Sequence, residues 1–242
     1  MENFAATLTG DERKKFRLYA YASTWFGCFS DVMIDSSAIL ILFFTILGSS
    51  NSMLMLMTSL VGVAHLVFMF PGAGIVNKLG PKKVVAISCY VGMCSFLLLA
   101  AAPFFGSEIA KYVAFLGCFI YCLTKALWPS AWYPILNSIL MPSDRAGFFG
   151  FMRFTYLLIT GTVFGILGVC MSKNTPEWVF QIVIAVVGVM IMGRYYFLEK
   201  IRLPEFAKGK LELAKGLKKT VRNSTLLGFS VYVCFLFFSF RP

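Results

Sequence analysis

Six long apolar runs dominate the sequence, and each is long enough to cross a lipid bilayer as a helix. About 20 apolar residues are needed, because a helix rises about 1.5 Å per residue. Hydrophobic residues make up 59% of the chain and charged residues only 14%, whereas about a quarter of a soluble domain is charged. The sequence therefore predicts an all-α polytopic membrane protein. The runs cover residues 18–47, 52–76, 84–102, 111–133, 149–171 and 178–197.

The runs divide the chain into four parts. Residues 1–17 form a polar N-terminal segment on the cytoplasmic side, and residues 18–197 form the predicted six-span bundle. Residues 198–222 are a basic cytoplasmic connector in which apolar residues recur at helical spacing. We predict an amphipathic helix there, with a plain charged linker as the alternative. Residues 223–242 have the composition of a seventh span that looks truncated.

Basic residues cluster in alternate connections, and this alternation predicts the orientation of the chain. The clusters precede the first run and follow the second, fourth and sixth, while the other loops are neutral or carry both signs. The positive-inside rule therefore places the N-terminus in the cytoplasm of a multi-pass protein of the cell (inner or plasma) membrane. The net charge of +11 is accounted for by these clusters, so we expect the lipid bilayer, and not nucleic acid, as the partner of the basic residues.

Two carboxylates interrupt the first apolar run, at Asp31 and Asp35. Asp31 lies about 20 Å along the helix from the start of the run, near the membrane centre, where a charge costs about 2.5–3.5 kcal/mol. Lys125, in the fourth run, lies at a similar depth and could pair with one aspartate, which leaves the other without a counter-charge. Two carboxylates one helical turn apart do not both ionise cheaply. We therefore predict that one of them binds a coupling cation, H⁺ or Na⁺; an ion pair that only fixes helix packing is the alternative.

Two other side chains complete the predicted site. His65 lies in the middle of the second run, where it could relay protons or simply pack. Trp128 and Trp132 lie four residues apart on one helix face, and Trp128, the deeper of the two, is the better candidate for stacking on a solute ring. The seven cysteines lie in apolar runs without metal-like spacing, so we expect no metal and no cofactor.

Two cytoplasmic loops resemble those of the major facilitator superfamily. The stretch AGIVNKLGPKKVV, residues 73–85, resembles the loop between spans two and three, which has the pattern Gly-x-x-x-Asp-Arg-x-Gly-Arg-Lys. The stretch MPSDRAGFFGFMR, residues 141–153, is similar to the loop between spans four and five. In this chain an asparagine replaces the acidic residue of the first pattern. The positions to which the resemblance assigns a conformational role are Asn77, Lys78, Gly80, Lys82, Lys83, Asp144 and Arg145.

The resemblance implies the N-terminal six-span half of such a transporter, with the connector and the start of span seven. A six-span half lacks the second wall of the family's central cavity, so a missing C-terminal half or a second copy is an expected partner. The family often pairs a basic residue of span four with an acidic residue of span one, which here implies Lys125 and Asp31. Gly165 is followed by Ile166, whereas antiporters of the family typically have Gly-Pro in span five, so symport is favoured.

These observations predict a secondary active transporter that moves a small organic solute by alternating access, coupled to H⁺ or Na⁺. No cluster of side chains points to catalysis, so we do not expect an enzyme. The alternative is a non-transporting polytopic membrane protein, or an incomplete half-transporter, in which the polar residues only pack or bind partners. The identity of the solute and of the coupling ion stays open.

Overall fold

A computed structural model describes residues 4–36, 38–172, 174–204, 223, 224 and 228. The chain divides into two units, the first of which comprises residues 1–207. The predicted connector from residue 205 onward and nearly all of the predicted seventh span lie outside the described residues. Within them the secondary structure is helical throughout. The helices are α1 (Phe4–Thr7), α2 (Gly10–Ser36), α3 (Ala38–Ile46), α4 (Asn51–Leu79), α5 (Pro81–Ala101), α6 (Ser107–Ile139), α7 (Arg145–Cys170) and α8 (Glu177–Glu199).

Five of these helices, α4 to α8, are long and apolar enough to cross a membrane. A sixth span results if α2 and α3 count as one, bent by 54° at the break between them. The predicted all-α membrane bundle is confirmed, and the first run is described as two helices, α2 and α3. Several helices extend beyond the predicted apolar runs; α6, for example, continues to Ile139, whereas the fourth run ends at residue 133.

The turn between α4 and α5 depends on Gly80, one of the residues in the first of the two loop motifs. Its φ of 85° lies in a region that side chains with a Cβ rarely adopt. The Gly80 amide donates to the carbonyl of Val76 at 2.8 Å and so closes the end of α4. Pro81 follows at the first position of α5, where its fixed φ suits a helix start. The glycine therefore reverses the chain within one residue.

The helices α5, α6 and α8 form the closely packed centre of the bundle, with α4 against α6 and α2 against α8. Small residues permit this approach. A Cβ on Gly117 of α6 would lie 2.9 Å from the Ser95 carbonyl oxygen of α5, and one on Gly188 of α8 would lie 2.7 Å from Phe96 Cβ. Phe96 is fully buried and meets the Tyr121 ring edge-on at 4.8 Å. The fully buried core therefore holds α6 and α8 in place for the polar residues they carry.

Helix α7 is attached to the bundle mainly along the first half of its length. There Tyr21 of α2 stacks on Phe148 at 4.6 Å between ring centroids, and Trp25 Nε1 donates to Thr155 Oγ1 at 3.0 Å. Further along α7, a Cβ added at any of three successive glycines would meet nothing within 4 Å among the described residues. These glycines are Gly161, Gly165 and Gly168. The later part of α7 therefore presents an open face.

Candidate functional site

A cavity of about 210 Å³ lies between α2, α4, α6, α7 and α8. The structure brings together there all five residues that the sequence singled out for solute or ion coupling, although they come from three different helices. Those five are Asp31, Asp35, His65, Lys125 and Trp128. The other lining residues are Thr24, Pro129, Trp132, Tyr133, Phe149, Met152, Arg153, Tyr156 and Arg194. The predicted polar and aromatic groups thus line one cavity, where they can contact the same solute.

Asp35 forms an ion pair with Lys125 on the cavity wall. The distance from Lys125 Nζ to Asp35 Oδ1 is 2.6 Å, and the ammonium also donates to the backbone carbonyl of Asp31 at 3.0 Å. The two side chains differ in exposure, at 41% for Asp35 and 11% for Lys125. A carboxylate this open can exchange its partner for a cation from the cavity, while the ammonium retains a second acceptor in the Asp31 carbonyl.

Asp31 pairs with a different cation, the guanidinium of Arg194 in α8. The hydroxyl of Tyr121 donates to Asp31 Oδ1 at 3.0 Å and lies 2.8 Å from Ser30 Oγ. Only 18% of the Asp31 side chain and 7% of the Arg194 side chain are exposed. The implied Lys125–Asp31 pair is therefore wrong, and so is the expectation that one aspartate lacks a counter-charge. Arg194 supplies the second cation because α8 packs directly against α2.

The Arg194 guanidinium lies in a socket formed by the ring of Trp128 and the space beside Gly27. Its Cζ lies 4.2 Å from the ring centroid of Trp128, a cation–π geometry. A Cβ added at Gly27 would overlap the guanidinium, so α2 admits this side chain only because residue 27 has none. Trp128 also stacks on Trp132 at 5.6 Å and 25°. Part of the Trp128 ring is thus already in contact with Arg194 and Trp132. Stacking of a solute on the rest of the ring stays a prediction.

His65 lines the cavity, and one of its two ring nitrogens is hydrogen-bonded to the backbone of its own helix. Its Nδ1 lies 2.8 Å from the backbone carbonyl of Val61, one helical turn earlier in α4. A carbonyl only accepts, so Nδ1 carries a proton, and in the neutral ring Nε2 is left as an acceptor. The position is compatible with either of the roles considered from the sequence, proton relay or packing.

The seven positions to which the resemblance assigns a conformational role do not line the cavity, and two of them hold the ends of helices together. Lys82, in the first turn of α5, donates from Nζ to the backbone carbonyl of Glu199 at 2.9 Å and so holds the C-terminal end of α8. Asp144 forms an ion pair with Arg17 of α2, which links the segment before α7 to the start of the first span. Lys78 lies exposed in the last turn of α4. These contacts join α5 to α8 and the start of α7 to α2.

The described residues contain no group of three or more His, Cys, Asp or Glu side chains placed to hold a metal ion. The six cysteines in the described part of the chain are all free thiols. The polar groups of the cavity are instead two carboxylates, two cations paired with them, the further cation Arg153, the His65 ring and several aromatic or hydroxyl groups. Such a set can bind and release small ions and polar solutes.

Sequence reasoning missed two cations of the site, Arg194 and Arg153. Arg194 lies inside the sixth apolar run, three residues from its predicted end, where it reads as part of the basic flank. Arg153 lies near the start of the fifth run and is close in sequence to the basic residues that follow the fourth run, so the sequence pattern does not separate it from that flank. A charge inside an apolar run is the signal that could have identified Arg194, but only the packing of α8 against α2 identifies its partner.

Comparison with known proteins identifies one family. The sequence model described as Major Facilitator Superfamily matches residues 21–242, which is nearly the whole chain and includes both loop motifs and every charged residue of the cavity. No curated protein and no solved structure matches significantly.

Proposed function

The chain belongs to the major facilitator superfamily and is a membrane transporter of that type, and from this premise we propose that it moves a small organic solute by alternating access, driven by H⁺ or Na⁺. The observation that carries the proposal is the ion pair between Asp35 and Lys125. It is exposed to a cavity that also contains the other polar groups predicted for the site.

The two aspartates have different roles in this proposal. Asp31 is enclosed by Arg194 and Tyr121 and holds α2, α6 and α8 together. Asp35 is the exposed partner, and a cation from the cavity competes with Lys125 for its carboxylate. When the cation binds, the Lys125 ammonium keeps its bond to the Asp31 carbonyl and becomes free to hold the solute. Cation binding and solute binding are then coupled through one lysine.

The coupling is reciprocal as a matter of thermodynamics. If cation binding at Asp35 raises the affinity of the cavity for the solute, the solute must raise the affinity for the cation by the same factor. Exposure favours Asp35 for this task, because separating a fully enclosed pair in every cycle would leave a buried charge with neither a partner nor solvent. Symport follows from this scheme, since both ligands stabilise the same arrangement of the pair.

Accumulation of a solute by cells tests the proposal. Cells expressing the chain in a self-associated form, or together with a second six-span half, should accumulate at least one small organic solute, measured by mass spectrometry, above the level of cells carrying an empty vector. A protonophore or the replacement of Na⁺ by choline should abolish that accumulation. Accumulation that survives both treatments would contradict cation coupling.

A non-transporting role is the second candidate, and one observation favours it. Each carboxylate of the cavity already has a cation from a neighbouring helix, and such pairs would suffice to fix helix packing. In that case no solute accumulates in the experiment above, while the chain is present in the membrane at normal levels.

We further propose that a second six-span half or a second copy of the chain completes the solute path. The support is the open face of α7, where Gly161, Gly165 and Gly168 meet nothing within 4 Å among the described residues. Small residues at this spacing let another helix approach closely. Strong solute uptake by a chain shown to be monomeric would contradict this part of the proposal.

The orientation we propose has the N-terminus and the loop before α5 in the cytoplasm of a cell membrane, because the basic clusters favour that side. In a cysteine-free background, a cysteine at Lys83 should not react with a membrane-impermeant maleimide added to intact cells. A cysteine at Asn174, in the loop between α7 and α8, is the matched control and should react. Labelling of the Lys83 position from outside would reverse the topology.

A further inference from the structure

The cavity holds one cation more than its carboxylates can neutralise. Asp31 is paired with Arg194, and Asp35 is paired with Lys125. The remaining charged side chain on the wall is Arg153 of α7. Among the described residues it forms no ion pair. The charges within each of the two ion pairs cancel. When all five side chains are ionised, the cavity therefore has one net positive charge, which Arg153 supplies.

The position of Arg153 on the cavity wall allows it to contact a ligand. Phe149 lies four residues before it and Tyr156 three residues after it, so the three share one face of α7, and all three line the cavity. The Arg153 side chain is exposed. An exposed arginine presents up to five N–H donors in a planar fork that fits the oxygens of a carboxylate, sulfonate or phosphate group.

We propose that the solute is a small organic anion, and that Arg153 is the residue that binds its acidic group. This inference rests on the proposed function, since it names the class of solute for the same cavity. The volume of about 210 Å³ suits a compact molecule with one acidic group. Its body lies against Phe149, Met152 and Tyr156, which surround Arg153 on the same helix. A positive side chain in the cavity favours solutes with a negative charge over neutral or positive ones.

The alternative reading is that Arg153 only contributes to the positive charge of the cytoplasmic flank. Arg145 provides the matched control, because it lies on the same helix, eight residues earlier, and does not line the cavity. A topogenic role predicts the same effect from the loss of either charge. A role in solute recognition predicts an effect from Arg153 alone.

The test measures the sign of the potential inside the cavity with two small thiol reagents of opposite charge. In a background with the seven cysteines replaced by alanine, a single cysteine is introduced by Thr24→Cys or, separately, by Tyr156→Cys. The purified chain reacts at low ionic strength with the anionic sulfonatoethyl or the cationic trimethylammonioethyl methanethiosulfonate. The ratio of the two rates is normalised to the same ratio for free cysteine in solution. The anionic reagent is itself a small organic sulfonate, so it belongs to the proposed class.

We expect the normalised ratio to favour the anionic reagent at both positions. Arg153→Gln should lower it about five-fold, because removal of one charge roughly 9 Å away in water acts on both reagents with opposite sign. Arg153→Lys should retain most of the preference, and Arg145→Gln should leave it unchanged. If the glutamine variant does not fold as a monodisperse protein, the ratio measured with Arg153 in place still decides whether the cavity favours anions.

Other outcomes would overturn the inference and separate it from the proposed function. Equal rates for the two reagents, a preference for the cationic reagent, or an equal loss in the Arg145 and Arg153 variants would show that the cavity does not select anions, while leaving it as a solute site. Absence of reaction with both reagents at both positions would mean that small solutes do not enter, and the proposed function would fall with the inference.

Discussion

Asp31→Asn is expected to destabilise the folded protein by about 3–5 kcal/mol, because it leaves a buried guanidinium without its counter-charge. Arg194 has only 7% of its side chain exposed and rests against Trp128, so it cannot reach water by a small movement. The midpoint of thermal unfolding in detergent, followed by the loss of monodisperse protein on size exclusion, measures the effect. Asp35→Asn is the matched control and should lower the midpoint much less, since 41% of the Asp35 side chain is exposed.

A second substitution should restore part of the stability that Asp31→Asn removes. Adding Arg194→Gln eliminates the orphaned charge, so the double variant should be more stable than Asp31→Asn alone. Adding Lys125→Gln should not help, because Lys125 is paired with Asp35. Rescue by the lysine substitution and none by the arginine substitution would show that the pairing is the one implied by the resemblance to the family.

Gly27→Val tests the same pair without removing a charge. The valine side chain would occupy the volume of the Arg194 guanidinium and force it away from Asp31. Unfolding should therefore occur at a temperature similar to that of Asp31→Asn. An unchanged midpoint would mean that the guanidinium has another position of equal energy, and that the socket does not determine where Arg194 lies.

Asp35→Asn is expected to abolish cation-driven accumulation of the solute while leaving exchange across the membrane measurable. An amide can still donate and accept hydrogen bonds, but it cannot neutralise Lys125 or bind a coupling cation with a full charge. The lysine is then permanently free to hold the solute, so binding continues without the driving ion. Accumulation in cells and counterflow in proteoliposomes loaded with unlabelled solute separate the two activities.

The control for this second prediction is Asp35→Glu, which retains the charge and should retain accumulation in part. If Asp35→Asn accumulates solute with the H⁺ and Na⁺ dependence of the unmodified chain, the Asp35–Lys125 pair serves packing and the coupling proposal is wrong. Loss of both accumulation and counterflow would instead place Asp35 in solute binding.

Much of the architecture could be predicted from the sequence because the bilayer restricts the choice of structure. In a membrane, every backbone polar group must be satisfied within the chain, so an apolar run of about 20 residues becomes a helix. The five helices from α4 to α8 follow the predicted runs, and the resemblance of two loops identified the family that the sequence model confirms. Depth counted along a helix was enough to select Asp31, Asp35 and Lys125, which line a single cavity.

The pairing of those charges was decided only by the tertiary structure. The depth of a residue along the membrane normal does not show which helices are neighbours. A basic residue near the end of an apolar run, such as Arg194, is not readily distinguished by sequence from the basic residues that follow the run. Arg194 meets Asp31 because α8 packs on α2 and because Gly27 leaves room for its guanidinium. Once Arg194 holds Asp31, Lys125 is left to Asp35. A sequence can show that charges lie at one depth, but the choice of partners depends on close packing between helices far apart in the chain.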